Sequence, residues 1–286
     1  MNMLKNFAVF SALLAFSSAA LSAHHGGDHS DSDRLAMVLD SQEEKMKSRY
    51  TYRHPAETLE FFGLKPGMKI AELLPGGGWY TKILAPYVGE KGAIYGVNYA
   101  DSMWAMFGRF DENTVAERVA SSSKFAGMVA GFRGAEGVMA EGTAIGRIPE
   151  KLEGSLDMVF IIRGLHNLNR FEEKAGTMTE ALKAVNSLLK PGGIAAVVQH
   201  RAPESAADTW ANGSMGYLKQ SYVISIFENA GFELTGSSEV NANPNDKPSS
   251  TDFVWRLPPS FSGAGDKDAA KKIGESDRMT LSFLKK

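Results

Sequence analysis

The sequence predicts a doubly wound α/β protein built on a mostly parallel sheet. Three observations carry that prediction. Short, nearly all-apolar segments alternate with segments of helical periodicity, the pattern of a sheet covered by helices on both faces. A strong helical segment is stopped by Lys190-Pro191-Gly192-Gly193, which turns the chain into the next apolar segment. Finally, an apolar run ending at Leu74 enters Pro75-Gly76-Gly77-Gly78 and returns as an amphipathic helix over 79–87, a strand–turn–helix unit.

Composition sets the outer limits. The chain has 286 residues, 43% of them apolar and 22% charged, enough apolar material for a packed core and too much for a disordered chain. A net charge of −2 gives no global reason to expect nucleic-acid binding. The absence of Cys excludes disulfides, thiolate metal sites, a Cys nucleophile and a Cys-linked lipid anchor.

The elements follow in order. Residues 1–23 combine one early charge, Lys5, a short apolar run and the small-residue exit Ala20-Leu21-Ser22-Ala23, which predicts a cleaved signal peptide. The apolar run is shorter than the ~18–20 residues of a membrane span, and no later segment reaches that length. The expectation is a periplasmic or secreted protein without a stable membrane anchor. Cleavage after Ala23 would leave about 263 residues with 30 basic and 33 acidic side chains. Residues 24–50 read as a linker, His-rich at its start, followed by a helix from Asp33 towards Ser48 that Asp31 or Asp33 would cap. The three His at its start are either a weak metal-binding tail or solvated linker. Pro55 starts a further helix that Gly63 ends.

Strands are predicted over 68–74, 93–98, 155–162, 193–199, 232–239 and 279–284, with a short one near 138–140. Helices lie between them. The clearest covers 171–190, where Met178, Leu182, Val185 and Leu189 share one face. Residues 127–146 include six Gly and read as loops. Residues 241–272 are also loop-like. Both stretches are candidate lids or substrate walls, or else irregular surface.

The glycine turn is the sharpest signal. In a doubly wound sheet ligands dock outside the carboxyl ends of the strands, and Gly allows the backbone to approach them closely. Read as G-x-G-x-x-G, the turn would have Gly76 and Gly78 but Thr81 at the third position. Read as an acidic residue followed by x-G-x-G-x-G, it resembles motif I of class I S-adenosylmethionine-dependent methyltransferases. Glu72 stands at the acidic position, Gly76 and Gly78 at the second and third glycines, and Leu74 replaces the first. The approach Leu64-Lys65-Pro66-Gly67-Met68, the second-strand segment Gly92–Asn98, Leu156–Phe160 and Leu188–Gly193 also match that family's order. The segments RHPAETLEFFGLKPGM, PGGGWYT and SDRMTLSFLKK resemble, more narrowly, a group of exported bacterial methyltransferase-like proteins.

The resemblance spans about 55–286. It implies a Rossmann-like methyltransferase fold over 51–286, an antiparallel last strand, S-adenosylmethionine as cofactor and a small-molecule acceptor. It places Glu72, Pro75, Gly76, Gly77, Gly78, Trp79, Asn98, Thr143 and Arg163 at the cofactor. Besides Leu74, two positions depart from the family. Asn98 stands where an acid usually holds the ribose hydroxyls, and Asn is a weaker acceptor than a carboxylate. Thr143 stands where an acid often meets the adenine.

Methyl transfer asks mainly for alignment, and for a base only when the nucleophile must lose a proton. His166 and His200 follow the fourth and fifth strands at the ligand edge and are the candidate catalytic residues. Arg163 is positioned to bind an acidic substrate or to pair with Glu72. Tyr52, Arg53 and His54 precede the Pro55 helix and would close the site or form an exposed entry loop. No metal site is expected. Two further classes stay open: an exported binding module that keeps the fold without catalysis, and a nicotinamide-dependent oxidoreductase.

Overall fold

The computed structural model describes residues 26–286, with side chains from residue 31 onward. The expected signal segment, His24 and His25 lie outside the described residues. Seven strands form one sheet: β1 (Lys69–Leu73), β2 (Ala93–Asn98), β3 (Met139–Ala144), β4 (Leu156–Ile162), β5 (Leu189–Ala202), β7 (Phe232–Ser238) and β8 (Arg278–Lys285). Their spatial order is β3-β2-β1-β4-β5-β8-β7, and the short β6 (Leu218–Lys219) pairs with the end of β5. Strands β1 to β5 run parallel, and β8 is antiparallel to both β5 and β7. The antiparallel last strand expected from the sequence is therefore present.

Strand residues alternate between two cores. Ala71, Leu73, Val97, Val159, Ile161, Ala195 and Val197 face one side. Ile70, Ile94, Met158, Phe160, Ala196 and Val198 face the other. This period of two, with both faces apolar, is why the strands read as continuous apolar runs. The first core is closed by the helices Thr177–Leu188 and Gln220–Asn229 through Met178, Leu182, Val223 and Phe227. The second is closed by Gly26–Asp40, Pro55–Phe62, Thr81–Val88 and Phe125–Ala130.

Several expectations need correction. The N-terminal helix spans Gly26–Asp40, so Asp31 and Asp33 lie within it and do not cap it. It stops at Ser41-Gln42-Glu43, and two short helices, Glu44–Lys47 and Tyr50–Arg53, carry the chain onward. Its second half is anchored by Leu35 and Leu39, both buried, and by Arg34, which donates to the carbonyls of Pro86 and Tyr87. The helix after the glycine turn begins at Thr81 and is buried nearly all round. It is covered on its outer side by the N-terminal helix. The helix expected over 171–190 is shorter, because Gly176 (φ +62°) separates Thr177–Leu188 from the turn Glu172–Ala175.

Residues 127–146 are not loose. The helix Phe125–Ala130 packs on β3, and Gly96 and Gly142 stand opposite each other in the β2–β3 register. A Cβ on Gly142 would lie 1.8 Å from the Ser122 carbonyl oxygen, and one on Gly96 would lie 2.3 Å from the Phe125 ring. These two glycines let the segment 121–130 lie directly on the sheet. Residues 241–272 are mostly irregular, as expected, but the helix Lys267–Ile273 and a 3₁₀ turn, Val254–Arg256, interrupt them. No helix among the described residues is long and apolar enough to cross a membrane.

Candidate functional site

The sheet order puts β1 at the centre of the five parallel strands, and the chain leaves β1 through the glycine turn at the carboxyl edge. Two cavities flank this turn and share Leu74, Pro75 and Gly76. The smaller, about 300 Å3, lies on the β2–β3 side and is lined by Asn98, Tyr99, Trp104, Ser121 and Phe125. The larger, about 450 Å3, opens over β4, β5 and the start of β8. It is lined by Glu72, Gly77, Trp79, Arg163, His166 and His200. Its far wall is Trp255, Leu257, Pro258 and Pro259 from the 241–272 stretch. Of the two proposed wall segments, that one shapes the larger cavity, and Met128 of the other borders the smaller.

The turn itself is strained. Leu74 and Arg163 both have left-handed backbones, φ +58° and +57°, which cost non-Gly residues energy and cluster at ligand sites. Leu74 thus keeps a glycine-like conformation without being glycine. Its N–H donates to the Val97 carbonyl at 2.7 Å, which helps hold it there. A methyl placed on Gly76 (φ +56°) would touch no side chain, and one on Gly77 would stand in open space.

Glu72 is buried at the end of β1 and accepts a 2.5 Å hydrogen bond from Thr81 Oγ1. Burial pushes its carboxyl up to about 7, against the opposing effects of Thr81 and Arg163. Trp79 packs edge-on against Tyr80 and Tyr50, with the Arg53 guanidinium 4.4 Å from its ring centre. Its indole Nε1 is buried and has no partner. Gly78 lines neither cavity; it faces Phe132 and Met128. Thr143 also lines neither, because it sits inside β3 and donates to the Arg147 carbonyl. Asn98 borders the smaller cavity, with its amide oxygen taking the Tyr99 N–H and its amide nitrogen donating to Ser121 Oγ.

His166 and His200 come together, ring centres 5.4 Å apart. Nδ1 of His166 lies 3.4 Å from Gln199 Oε1, and Nδ1 of His200 lies 2.5 Å from Ser276 Oγ. Burial lowers His166 to about 4, with the Gln199 contact opposing. His200 is also driven well below its ordinary value, by burial and by His166 and Arg163. Both rings are neutral at pH 7.

Arg163 does not pair with Glu72. Its nearest acid is Glu275, at 3.6 Å, and its Nε is buried without a partner. Glu275 also binds Arg49, Arg53 (3.1 Å) and Arg278 (3.0 Å). Burial would raise the Glu275 carboxyl, but the arginines, Arg278 foremost, outweigh it and hold it below its ordinary value. Burial lowers Arg53 to about 9 and Arg163 to about 10, and the neighbouring guanidiniums add to both shifts. Both remain cationic at pH 7. Arg53 is therefore part of the site, whereas Tyr52 and His54 line a second depression, which Glu275, Ser276 and Arg278 also border.

Sequence reading missed Glu275, Ser276, Arg49 and Arg278 as site residues. The segment Ser276-Asp277-Arg278 carried a family resemblance, but nothing in it named Arg53 as a neighbour of the adjoining Glu275. Tyr99, Trp104 and Trp255 were missed as well; aromatic residues next to strand ends were the available signal. Among the described residues no group of His, Asp and Glu is arranged to hold a metal ion.

No protein-family model and no curated protein matches the chain. Solved structures do. The [4+2]-cyclase SpnF is 15% identical, with a TM-score of 0.51 over 91% of this chain and 94% of its own. A SAM-dependent methyltransferase from Aquifex aeolicus is 17% identical, with a TM-score of 0.49 over 87% and 97%. A putative sarcosine dimethylglycine methyltransferase from Galdieria sulphuraria is 16% identical, with a TM-score of 0.49 over 90% and 98%. At 15% identity the likeness to SpnF is one of fold: the chain has a Rossmann-like architecture, and a fold hosts more than one chemistry.

Proposed function

We propose that this protein is an S-adenosylmethionine-dependent methyltransferase acting on a small-molecule acceptor. The observation that carries this reading is the pair of cavities meeting across Leu74, Pro75 and Gly76 at the carboxyl edge of β1. A ligand laid across the turn reaches both. The residues fit the cofactor. Gly77 leaves the turn open, the buried Trp79 Nε1 lacks a partner, and Tyr99 and Trp104 supply aromatic surface on the other side. Asn98 and Tyr99 would hold the nucleoside end, and Gly76, Gly77 and Trp79 the amino-acid end. Glu72 supports the turn through Thr81.

The cofactor supplies a methyl group already activated on a sulfonium. What the chain supplies is alignment and exclusion of water. His166 and His200 border the larger cavity, where an acceptor would lie. As neutral imidazoles with lowered basicity they are weak general bases, so their role is to orient the acceptor by hydrogen bonds. The domain reading goes with this function: 1–23 as an export signal, 24–50 as an N-terminal cover, and 51–286 as the methyltransferase-like unit working outside the cytoplasm, in a periplasm.

A binding module without catalysis is the second reading. It is favoured by Leu74 at a glycine position and by an Asn98 amide already engaged by Tyr99 and Ser121. Thermal shift and calorimetry with S-adenosylmethionine, S-adenosylhomocysteine and NAD separate the readings. Ligand at ~100 times its dissociation constant stabilises the fold by about 2.7 kcal/mol. Stabilisation by both adenosyl compounds, lost in Gly76→Val, supports cofactor binding at the turn. Turnover of a methyl acceptor then supports the enzyme over the module. No shift with either compound at millimolar concentration overturns both the cofactor and the methyltransferase assignment, and a shift with NAD alone selects the oxidoreductase.

A further inference from the structure

The charge around Glu275 does not balance. Four guanidiniums, those of Arg49, Arg53, Arg163 and Arg278, surround one carboxylate. The side chains of Arg53, Arg278 and Glu275 are no more than 5% exposed. Glu72 is the next acid, and even when ionised it leaves two positive charges uncompensated. Burying unpaired charge is costly, and cationic groups held together in a low-dielectric site repel one another. The ordinary remedy is a bound anion.

Where the anion would sit follows from the lining. Of the four arginines, only Arg163 borders the larger cavity, and its Nε is the one guanidinium nitrogen of the cluster that is buried without a partner. Ser276, His200 and Asn167 border the same cavity, as do the carboxylates of Glu72 and Glu275, so the anion's place is on the Arg163 side away from Glu275. These groups stand over β4, β5 and β8, whereas the smaller cavity lies on the β2–β3 side of the glycine turn. S-adenosylmethionine cannot neutralise the cluster. Its carboxylate arrives with an ammonium and a sulfonium, so it adds a positive charge overall. A second ligand of net negative charge is what the site lacks. The same cavity is lined by the apolar side chains of Leu257, Pro258 and Pro259 and by the planar indole of Trp255. A 450 Å3 space falls in the range of small-molecule pockets.

We propose that the larger cavity is the acceptor site and that its acceptor is a small molecule with a flat apolar body and an oxyanion, carboxylate or phosphate, seated on Arg163. The assignment of this ligand as the acceptor rests on the methyltransferase reading; the anion subsite itself does not. Arg163 gives the forked donor set that suits such a group. Its left-handed backbone places it at this edge at a cost in stability, as residues that serve ligands often are.

The probes are sodium benzoate, phenyl phosphate and neutral benzamide, titrated against the protein at constant ionic strength with and without S-adenosylhomocysteine. Benzoate or phenyl phosphate is expected to bind with a dissociation constant of ~1 mM or tighter, and benzamide at least about tenfold more weakly. The better of the two acids identifies the oxyanion. Arg163→Gln should weaken acid binding by about tenfold or more. It should not lower the melting temperature of the free protein, because it removes one of the excess charges. An arginine that merely braces Glu275 would give the opposite shift. Should the variant fail to fold, the wild-type comparison of benzoate with benzamide still decides. Benzamide binding as tightly as benzoate, no acid binding at ~10 mM, or acid binding unchanged in Arg163→Gln overturns the proposal. Acid binding without S-adenosylhomocysteine binding keeps the anion subsite and overturns the methyltransferase reading; the reverse pattern does the converse.

Discussion

Arg53 and Glu275 form a buried ion pair across 222 residues of sequence, tying the short N-terminal helices to the approach of the last strand. The Arg53 carbonyl also accepts from Tyr80 and Thr58, so this one residue joins the N-terminal cover, the glycine turn and the sheet edge. Removing the carboxylate leaves four arginines without their shared partner. Glu275→Gln is expected to destabilise the fold by about 3–5 kcal/mol, read as a lower denaturation midpoint at pH 7. A change below about 1 kcal/mol would show that the cluster is solvated in solution.

Glu72 sets one pH dependence. Its carboxyl is raised to about 7 in the folded protein, so the folded state holds the proton more tightly than the unfolded chain. Stability from this group is therefore full below the unfolded value near 4.5 and falls as pH rises towards 7. Glu72→Gln should flatten that slope. An unchanged stability–pH curve in the variant would place the titration elsewhere.

The imidazoles act in the opposite direction. His166, lowered to about 4, binds protons more readily when unfolded, so stability falls as pH drops from 6.5 towards 4. This opposes Glu72 where the two ranges overlap. The direct check is proton NMR of the His166 and His200 rings: neither should titrate between pH 6 and 8. A midpoint near 6.5 for either would restore it as a competent base.

Leu74 reverses a familiar order. At φ +58°, Leu74→Gly loses the side chain but relieves a left-handed strain of about 1–2 kcal/mol. Leu74→Ala loses nearly the same packing and keeps the strain. The glycine variant should therefore be more stable than the alanine variant by about 1 kcal/mol, as compared by chemical denaturation.

Two glycines in one region should respond with opposite signs. Gly142→Ala drives a methyl to 1.8 Å from the Ser122 carbonyl oxygen and should cost about 1–3 kcal/mol or more. Gly127 sits in the helix Phe125–Ala130 with nothing within 4 Å of its Cβ position. Gly127→Ala should stabilise by about 0.5–1 kcal/mol. Melting curves of the two variants test the packing of this segment on the sheet.

The parallel sheet and most of its strands were legible in the sequence. Local chemistry is enough for that: apolar runs of strand length, helical periodicity, and Pro-Gly breaks such as 190–193. The glycine turn was legible too, and so was the placing of His166, His200 and Arg163 at the ligand edge, because residues that follow parallel strands must emerge on one side. What these residues meet was decided by the folded packing alone. Gly142 looked like part of a loose run, yet Ser122 lies on it. Thr143 and Gly78 stood at motif positions, yet line neither cavity. Arg163 was expected to bind an acidic substrate or to pair with Glu72, yet it faces Glu275, which the sheet order β4-β5-β8 brings beside it from more than a hundred residues away. Charge pairing across strands depends on which strands become neighbours, and that is settled by packing both faces of the sheet, not by any local signal.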